Sequence, residues 1–198
     1  KFTYLIREYI DTPNIQYYLD NKTSFSEEQV LFTLLKIAKI LKELQSVDPS
    51  AFMGPIHPKY IHIDLNDILS CDSNAPLWLT SFYVSQEYHI DAIDYESPYN
   101  DMNLAILLES VSPIELTLDQ TCPQSDYFYL GTTAFYMLTS TNLADTYISH
   151  STEFERIEPL IQAKAPNTSA PMITLLKKLL ARKRQDRPKD ADQLIMYI

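Results

Sequence analysis

The sequence SDYFYLGTTAFYMLTS, from Ser125 to Ser140, predicts a helix with apolar residues on nearly every side. A helix of this kind is buried all round, so the rest of the chain is expected to pack around it. Asp126 lies in its first turn, where the helix dipole favours a negative charge. The stretch therefore predicts a mainly helical fold that is organised around one central buried helix.

A long helix is predicted before it, from Ser26 to Ser46. Ser26 and Gln29 fit a capping box, in which the two side chains bond backbone N–H groups at the start of a helix. Apolar residues then recur at helical spacing and predict one buried face: Val30, Leu34, Ile37, Leu41 and Leu44.

Three further helices are predicted after the central one. The first covers residues 157–164. The second runs from Pro171 to Arg184, and its last turn would place Arg182, Lys183 and Arg184 at the negative end of the helix dipole. Pro188 is predicted to open the third, which continues to Ile198.

Short extended segments are predicted elsewhere. Residues 60–65 alternate around His62, and Leu77-Trp78-Leu79 forms a second apolar run, so the two predict a small β hairpin. Residues 1–10 also read as a short strand, and the chain is therefore expected to be part of a longer protein. The segment 87–123 is irregular and acidic, with one helical patch predicted near 103–109.

The composition excludes several classes of function. A net charge of -10 argues against nucleic-acid or anionic-membrane binding, because those partners need a basic surface. No stretch approaches the roughly 20 apolar residues of a membrane span, and no leader of the signal-peptide type is present. The cysteines Cys71 and Cys122 lie far apart, which indicates either a reducing compartment or simple burial, and we predict a cytoplasmic location. A secreted effector is the alternative.

Phosphate-binding loops and metal sites are also disfavoured. Only Gly54 and Gly131 are glycines, so neither a GxGxxG nor a GxxxxGK loop exists in this chain. Of the four histidines, only His57 and His62 are near each other, and no cluster of Cys or carboxylate residues joins them. We therefore predict no zinc site.

Five pieces of the chain, in order, resemble the protein kinase family. The central helix begins with SDxxxLG at Ser125 to Gly131, and the stretch from Leu179 to Pro188 is similar to the LLxxxPxxRP element near the end of the C-terminal lobe. The other pieces resemble the last N-lobe strand running into the hinge, the helix after the hinge and the long C-lobe helix: residues 4–10, 14–19 and 26–46. The resemblance implies a kinase-like C-lobe over residues 1–198, with residues 1–10 as the last N-lobe strand and hinge and the N-lobe otherwise absent.

The resemblance also implies roles for individual residues. Asp126 would be a brace that holds the backbone of the catalytic loop, and Gly131 and Arg187 would be structural. Glu8 and Ile10 would offer hinge backbone groups to an adenine ring.

Several residues that kinase chemistry needs are replaced. Ser81-Phe82-Tyr83 stands where the DFG motif belongs, so a weak, neutral hydroxyl replaces the magnesium-binding carboxylate. The APE element corresponds to Ser112-Pro113-Ile114 or to Ser97-Pro98-Tyr99, and both lack its Glu, the family partner of Arg187. Glu115 is a substitute one residue along.

The catalytic loop aligns in two ways. In the first, Gly54 to His57 matches the approach to the HRD motif, and Pro58-Lys59 follows without an Asp. In the second, His62-Ile63-Asp64-Leu65 matches HRDL and keeps an acid at Asp64. The sequence does not choose between them.

These observations lead to three hypotheses. The first is a pseudokinase-type domain that binds a protein partner on the face formed by the segment 84–123 and the helices after it, with Tyr88, Tyr95 and Tyr99 as interface residues. The second is an atypical serine/threonine kinase that uses Mg-ATP and an upstream N-lobe, with Asp64 as the base and Asn66 or Asp67 as a metal ligand. The third is an unrelated helical interaction domain, which a fold without a central buried helix would indicate.

Overall fold

The computed structural model describes residues 9–54, 56–80, 122–143 and 157–198. Within them it contains seven α-helices, in chain order: α1 (Ile15–Asp20), α2 (Glu27–Val47), α3 (Leu65–Ser70), α4 (Pro123–Thr139), α5 (Ile157–Lys164), α6 (Ala170–Leu179) and α7 (Ala191–Tyr197). Single 3-10 turns cover Pro58–Tyr60 and Arg184–Asp186. Strands β1 (Ile61–His62) and β2 (Trp78–Leu79) form an antiparallel pair, as the predicted hairpin requires.

Helix α4 is the buried centre of the fold. Every residue from 125 to 135 is buried, which confirms the central helix that the sequence predicts. Helices α2, α5 and α6 pack against α4, so three different elements bury its sides. This arrangement contradicts the hypothesis of a helical domain without such a centre.

Helix α2 begins where its capping box predicts. The Ser26 side chain accepts a hydrogen bond from the Gln29 N–H, and the Gln29 side chain accepts one from the Ser26 N–H. Two backbone donors of the first turn are thereby satisfied. Its apolar face enters the core, with Val30, Leu34 and Ile37 fully buried.

The last helix, α7, closes the core against α2. Ala191 and Leu194 are buried there, although α7 lies far along the chain from α2. Gln45 joins three helices, because its side-chain oxygen accepts hydrogen bonds from the Tyr127 hydroxyl of α4 (3.0 Å) and the Ala191 N–H of α7 (3.2 Å).

The two C-terminal helices differ from their predicted bounds. Helix α6 ends at Leu179, so Arg182, Lys183 and Arg184 lie outside it, and the prediction that they form its last turn is wrong. The carbonyls of Ala181 and Arg182 accept hydrogen bonds from the Arg187 guanidinium instead of continuing the helix.

Helix α7 begins at Ala191 rather than at Pro188. The Asp190 side chain accepts a hydrogen bond from the Gln193 N–H (2.8 Å), and the Gln193 side chain accepts one from the Lys189 N–H (2.8 Å). This reciprocal capping sets the start of the helix three residues after the proline. Among the described residues, no helix has the length and apolar character needed to cross a membrane.

Candidate functional site

Asp126 holds the loop that follows α2. Its side chain is fully buried, and its two carboxyl oxygens accept hydrogen bonds from the backbone N–H groups of Met53 (2.7 Å) and Gly54 (3.0 Å). Both N–H groups are buried, so they depend on the carboxyl group for an acceptor. The side chain of one α4 residue therefore fixes the backbone of a loop 72 residues earlier in the chain.

A second side chain of α4 holds the same loop. The buried Thr133 hydroxyl donates a hydrogen bond to the Ile56 carbonyl oxygen (2.5 Å). Asp126 and Thr133 lie seven residues apart on α4, about two helical turns, so both contacts come from one face of the helix. We refer to the described residues among 53–59, held by these two contacts, as the braced loop.

The conformation at Gly54 explains one of the two glycines of the chain. Its φ is 85°, in the left-handed region that residues with a Cβ atom rarely adopt. Sequence reasoning missed that Met53 and Gly54 are the partners of Asp126, and it missed Thr133 altogether. The scarcity of glycine, with only two in the chain, is the signal that could have pointed to Gly54.

The side chains of the braced loop are mostly apolar. Met53 and Ile56 are almost fully buried, and no Asp or Glu occurs anywhere from Ala51 to Ile63. The loop therefore has neither a carboxylate that could accept a proton from a hydroxyl nor one that could bind a metal ion.

His57 is a buried titratable group of the braced loop. Burial, together with the charge of Lys59, lowers the pKa of His57 to about 4. Its Nδ1 accepts a hydrogen bond from the Lys59 N–H (3.2 Å), so the proton of the neutral ring lies on Nε2. The imidazole is therefore neutral at pH 7 and its ring packs edge-on against Tyr60.

Asp64 lies beyond the braced loop, on the far side of β1. It is exposed and caps α3, where its carboxylate accepts a hydrogen bond from the Asn66 N–H (2.8 Å). Asn66 and Asp67, the metal ligands of the active-kinase hypothesis, are in the first turn of α3. The short helix α3 itself was not predicted from the sequence.

His62 connects β1 to two neighbouring segments. Its Nδ1 lies 2.7 Å from the Thr12 carbonyl oxygen, and its Nε2 lies 3.4 Å from the Thr80 hydroxyl. Of the two predicted hinge residues, Ile10 is partly buried at the start of the described chain, whereas Glu8 lies outside the described residues. The contacts of His62 thus join Thr12, near the start of the described chain, to the pair of short strands.

Gly131 and Arg187 occupy close-packed positions around α4. A Cβ atom on Gly131 would lie 2.8 Å from the Cβ of Leu179 and 3.0 Å from the Cγ of Leu180, so glycine permits the close approach of α4 and α6. The Arg187 guanidinium is buried over the Phe128 ring at 4.9 Å. It donates hydrogen bonds to the backbone carbonyls of Ala181, Arg182 and Gln124, at 2.8, 3.3 and 3.0 Å.

Other predicted positions lie outside the described residues. They are the DFG position (Ser81 to Tyr83), both APE candidates with Glu115, the helical patch at 103–109, and the interface residues Tyr88, Tyr95 and Tyr99.

The pKa values of Asp126 and His57 predict a fall in stability between pH 6.5 and about 8. Burial raises the pKa of Asp126 from its ordinary 3.8 to about 8, although the two backbone N–H bonds lower it. The folded state then retains a proton that the unfolded state releases, so stability falls as the pH rises through that range. His57 acts oppositely between pH 4 and 6.5, because only the unfolded state is protonated there.

Above pH 6.5 the effect of Asp126 on the free energy of unfolding is no longer opposed by that of His57. The free energy of unfolding then falls by at most about 1.4 kcal/mol per pH unit. Urea denaturation between pH 6.5 and 8 measures it. In Asp126→Asn the free energy of unfolding should depend less on pH over this range. An equal slope in the wild type and the variant would show that another group causes the pH dependence.

No protein-family model and no curated protein matches this sequence. Solved structures do match. The kinase domain of PknI from Mycobacterium tuberculosis, crystallised as a double mutant, aligns over 96% of this chain with a TM-score of 0.65 and 14% sequence identity. A second structure of the same domain aligns over 96% of the chain with a TM-score of 0.64 and 13% identity.

This chain spans 62% of the length of these two kinase domains. Its helices around α4 and its two-stranded sheet match the architecture of a kinase-like C-lobe. The chain therefore has a mainly helical, protein-kinase-like fold.

Proposed function

We propose that this chain is a protein-kinase-like binding module that does not transfer phosphate. The observation that carries the proposal is the absence of any carboxylate from the braced loop. By the family resemblance, the loop that Asp126 holds is the catalytic loop, where phosphoryl transfer uses an Asp to accept the proton of the substrate hydroxyl. Here the same loop offers glycine, proline, isoleucine and a neutral histidine.

The contacts of Asp126 favour the first alignment of the catalytic loop. Asp126 binds the N–H groups of Met53 and Gly54, immediately before the Pro55-Ile56-His57 stretch. In the second alignment the base is Asp64, which is ten residues beyond Gly54 and caps α3 at the surface. We infer that Asp64 has a structural role as a helix cap rather than a chemical one.

His57 is a poor substitute for the missing base. A general base works best when its pKa lies near the operating pH, and the pKa of His57 is about 4. Magnesium binding is weakened as well, because by the family resemblance Ser81 stands at the position of the magnesium-binding Asp.

The proposal extends to the organisation of the protein. Residues 1–198 would form the C-lobe, with residues 1–10 as the last N-lobe strand and hinge. Two further predictions stay open to test. One is that a protein partner binds the face formed by the segment 84–123 and the helices after it, with Tyr88, Tyr95 and Tyr99 in the interface; the other is a cytoplasmic location. Nucleotide binding at the backbone of Glu8 and Ile10 belongs to the alternative, an active serine/threonine kinase that uses Mg-ATP.

The variant Asp64→Asn distinguishes the role of Asp64 as a helix cap from its role as a catalytic base in the kinase alternative. Asparagine caps helices about as well as aspartate, so the variant should keep its thermal midpoint while losing the carboxylate. The assay uses the chain joined to the upstream N-lobe that the alternative requires. We expect no transfer of labelled γ-phosphate from Mg-ATP to casein or to the protein itself, in either the wild type or the variant. Asp64→Ala is the matched control, since it removes the cap and should cost about 1 kcal/mol of stability.

Phosphate transfer by the wild type that Asp64→Asn abolishes would establish the kinase alternative. Nucleotide binding is measured separately by thermal stability with and without Mg-ATP. A ligand at 100 times its dissociation constant adds about 2.7 kcal/mol to the folded state.

A further inference from the structure

Helix α7 is attached to the rest of the fold by few buried groups. Of its residues only Ala191 and Leu194 are fully enclosed. Ile195, Tyr197 and the following Ile198 are partly buried against the core. The stabilisation from apolar burial grows with the area that is buried, so detaching α7 is expected to require far less free energy than unfolding the core around α4.

The polar side-chain contacts of α7 with α2 and α6 lie at the surface. The Asp192 carboxylate pairs with Lys42 of α2 at 2.5 Å, and the two side chains are 72% and 54% exposed. The Lys178 ammonium of α6 lies 4.6 Å from the centre of the Tyr197 ring. Exposed ion pairs and cation–π contacts are individually weak, because water screens them. These contacts therefore orient α7 but add little to the free energy that holds it in place.

The junction of α7 with α2 and α4 contains a buried donor group without an acceptor. The Gln45 side-chain oxygen accepts hydrogen bonds from the Tyr127 hydroxyl and the Ala191 N–H. The Gln45 side-chain nitrogen is buried and has no hydrogen-bond partner among the described residues. Reversing the amide does not remove the problem, since the NH2 group would then face the Ala191 N–H, which can only donate. An unsatisfied buried donor destabilises the closed junction.

The chain directly before α7 is held more firmly. Arg187 is buried, and its guanidinium donates hydrogen bonds to three backbone carbonyl groups. Pro188 is buried as well, and its ring fixes its own φ angle. Lys189 is exposed and Asp190 is partly buried. The change from a firmly held to a weakly held backbone therefore lies at Lys189 and Asp190, at the start of α7.

Helix α7 has seven residues and is too short to keep its helical form without its neighbours. Isolated helices of fewer than about 12 residues are marginal in water. When α7 leaves α2, its backbone hydrogen bonds, such as that from the Leu194 N–H to the Asp190 carbonyl (3.0 Å), are expected to break. The backbone entropy that is regained then favours the open state. Detachment and unfolding of α7 are thus one event, which hydrogen exchange of its amides can follow.

We propose that α7 is a strap that opens on its own while the helices around α4 stay folded. Opening uncovers the part of α2 that carries Lys42 and Gln45, so the position of α7 controls access to this face. The inference goes beyond the proposed function, because it does not depend on whether the chain transfers phosphate.

Native-state hydrogen exchange of the full chain, followed by NMR, tests the proposal. The amides of Leu194 and Ile198 should exchange through an opening equilibrium at least about 100-fold more favourable than that of the α4 amides. Urea at concentrations below the unfolding transition should speed exchange in α4 and leave exchange in α7 nearly unchanged. The reason is that urea favours an opening in proportion to the surface that it exposes.

Two matched substitutions separate local opening from global unfolding. Ile161→Ala on α5 and Leu194→Ala on α7 each truncate a fully buried apolar side chain. Ile161 stays packed when α7 opens, so Ile161→Ala should speed exchange in α4 at least about thirtyfold and change exchange in α7 by less than about twofold. Leu194 loses its contacts in both processes, so Leu194→Ala should speed exchange in α7 at least about tenfold and speed exchange in α4 as well.

If Ile161→Ala speeds exchange equally in α7 and α4, the fold opens as one unit and the proposal is wrong. Equal opening equilibria for α7 and α4 in the wild type would overturn it too. Should Ile161→Ala not fold, Ile161→Val gives the same comparison with an expected effect of about threefold on α4.

Discussion

Replacing Asp126 with alanine is expected to lower the free energy of unfolding by about 3 kcal/mol or more. The substitution leaves the buried N–H groups of Met53 and Gly54 without acceptors. Each unsatisfied buried donor costs about 1–3 kcal/mol, and water does not easily replace a carboxyl group that is fully buried. Urea denaturation of the wild type and the variant at pH 6.5 measures the difference.

Two further variants show whether the loss comes from the braced loop. Asp126→Asn keeps the volume and one acceptor oxygen but directs an NH2 group at a backbone donor, so an intermediate loss is expected. Thr133→Ala removes the hydrogen bond to the Ile56 carbonyl and should lower the free energy of unfolding by about 1 kcal/mol. A loss below 1 kcal/mol in Asp126→Ala would mean that the loop does not depend on this carboxyl group.

Gly131→Val is expected to destabilise the fold by about 3 kcal/mol. The Cβ atom alone would lie 2.8 Å from the Cβ of Leu179, an atom fixed to the backbone of α6, and valine adds two methyl groups at the same place. Helices α4 and α6 would have to separate, which loosens the packing of the buried Leu179 and Leu180.

Gly131→Ala tests the contact of Gly131 with Leu179 and Leu180, because the contact decides whether the substitution raises or lowers the free energy of unfolding. Alanine in a helix interior is favoured over glycine by about 1 kcal/mol, whereas overpacking a core costs about 1–3 kcal/mol. We expect the packing cost to exceed the gain and the variant to be less stable. Adding Leu180→Ala removes two of the three crowded atoms, so the double variant should lose about 1 kcal/mol less than the sum of the single variants. If Gly131→Ala instead stabilises the protein, the contact between α4 and α6 has space for a Cβ atom at this position.

The parts of the fold that were predictable from the sequence are those encoded by neighbouring residues. The apolar residues on nearly every side of α4 and the capping box of α2 are local patterns, and both helices lie where they were predicted. The pair of short strands was also predicted, because each has its own apolar run.

Contacts between distant residues decided what the sequence did not predict. Helix α6 ends at Leu179, and the Arg187 guanidinium donates hydrogen bonds to the carbonyls of Ala181 and Arg182 just beyond it; no pattern within α6 indicates this. Helix α3 is only six residues long, too short for helical periodicity to show. For the site, the resemblance predicted that Asp126 is a brace, but its partners Met53 and Gly54 are set by the tertiary fold.

The packing of α7 on α2 has a consequence for how the protein is made. The apolar face of α2 is complete once Val47 has been synthesised, but Ala191 and Leu194, which help to cover it, are added more than 140 residues later. At about 5–20 residues per second, that interval is on the order of ten seconds. Helix α4 is made earlier and covers part of this face, but the part that α7 covers stays without its partner for the whole interval. We therefore expect chaperones that bind apolar surfaces to hold the nascent chain until translation has passed α7.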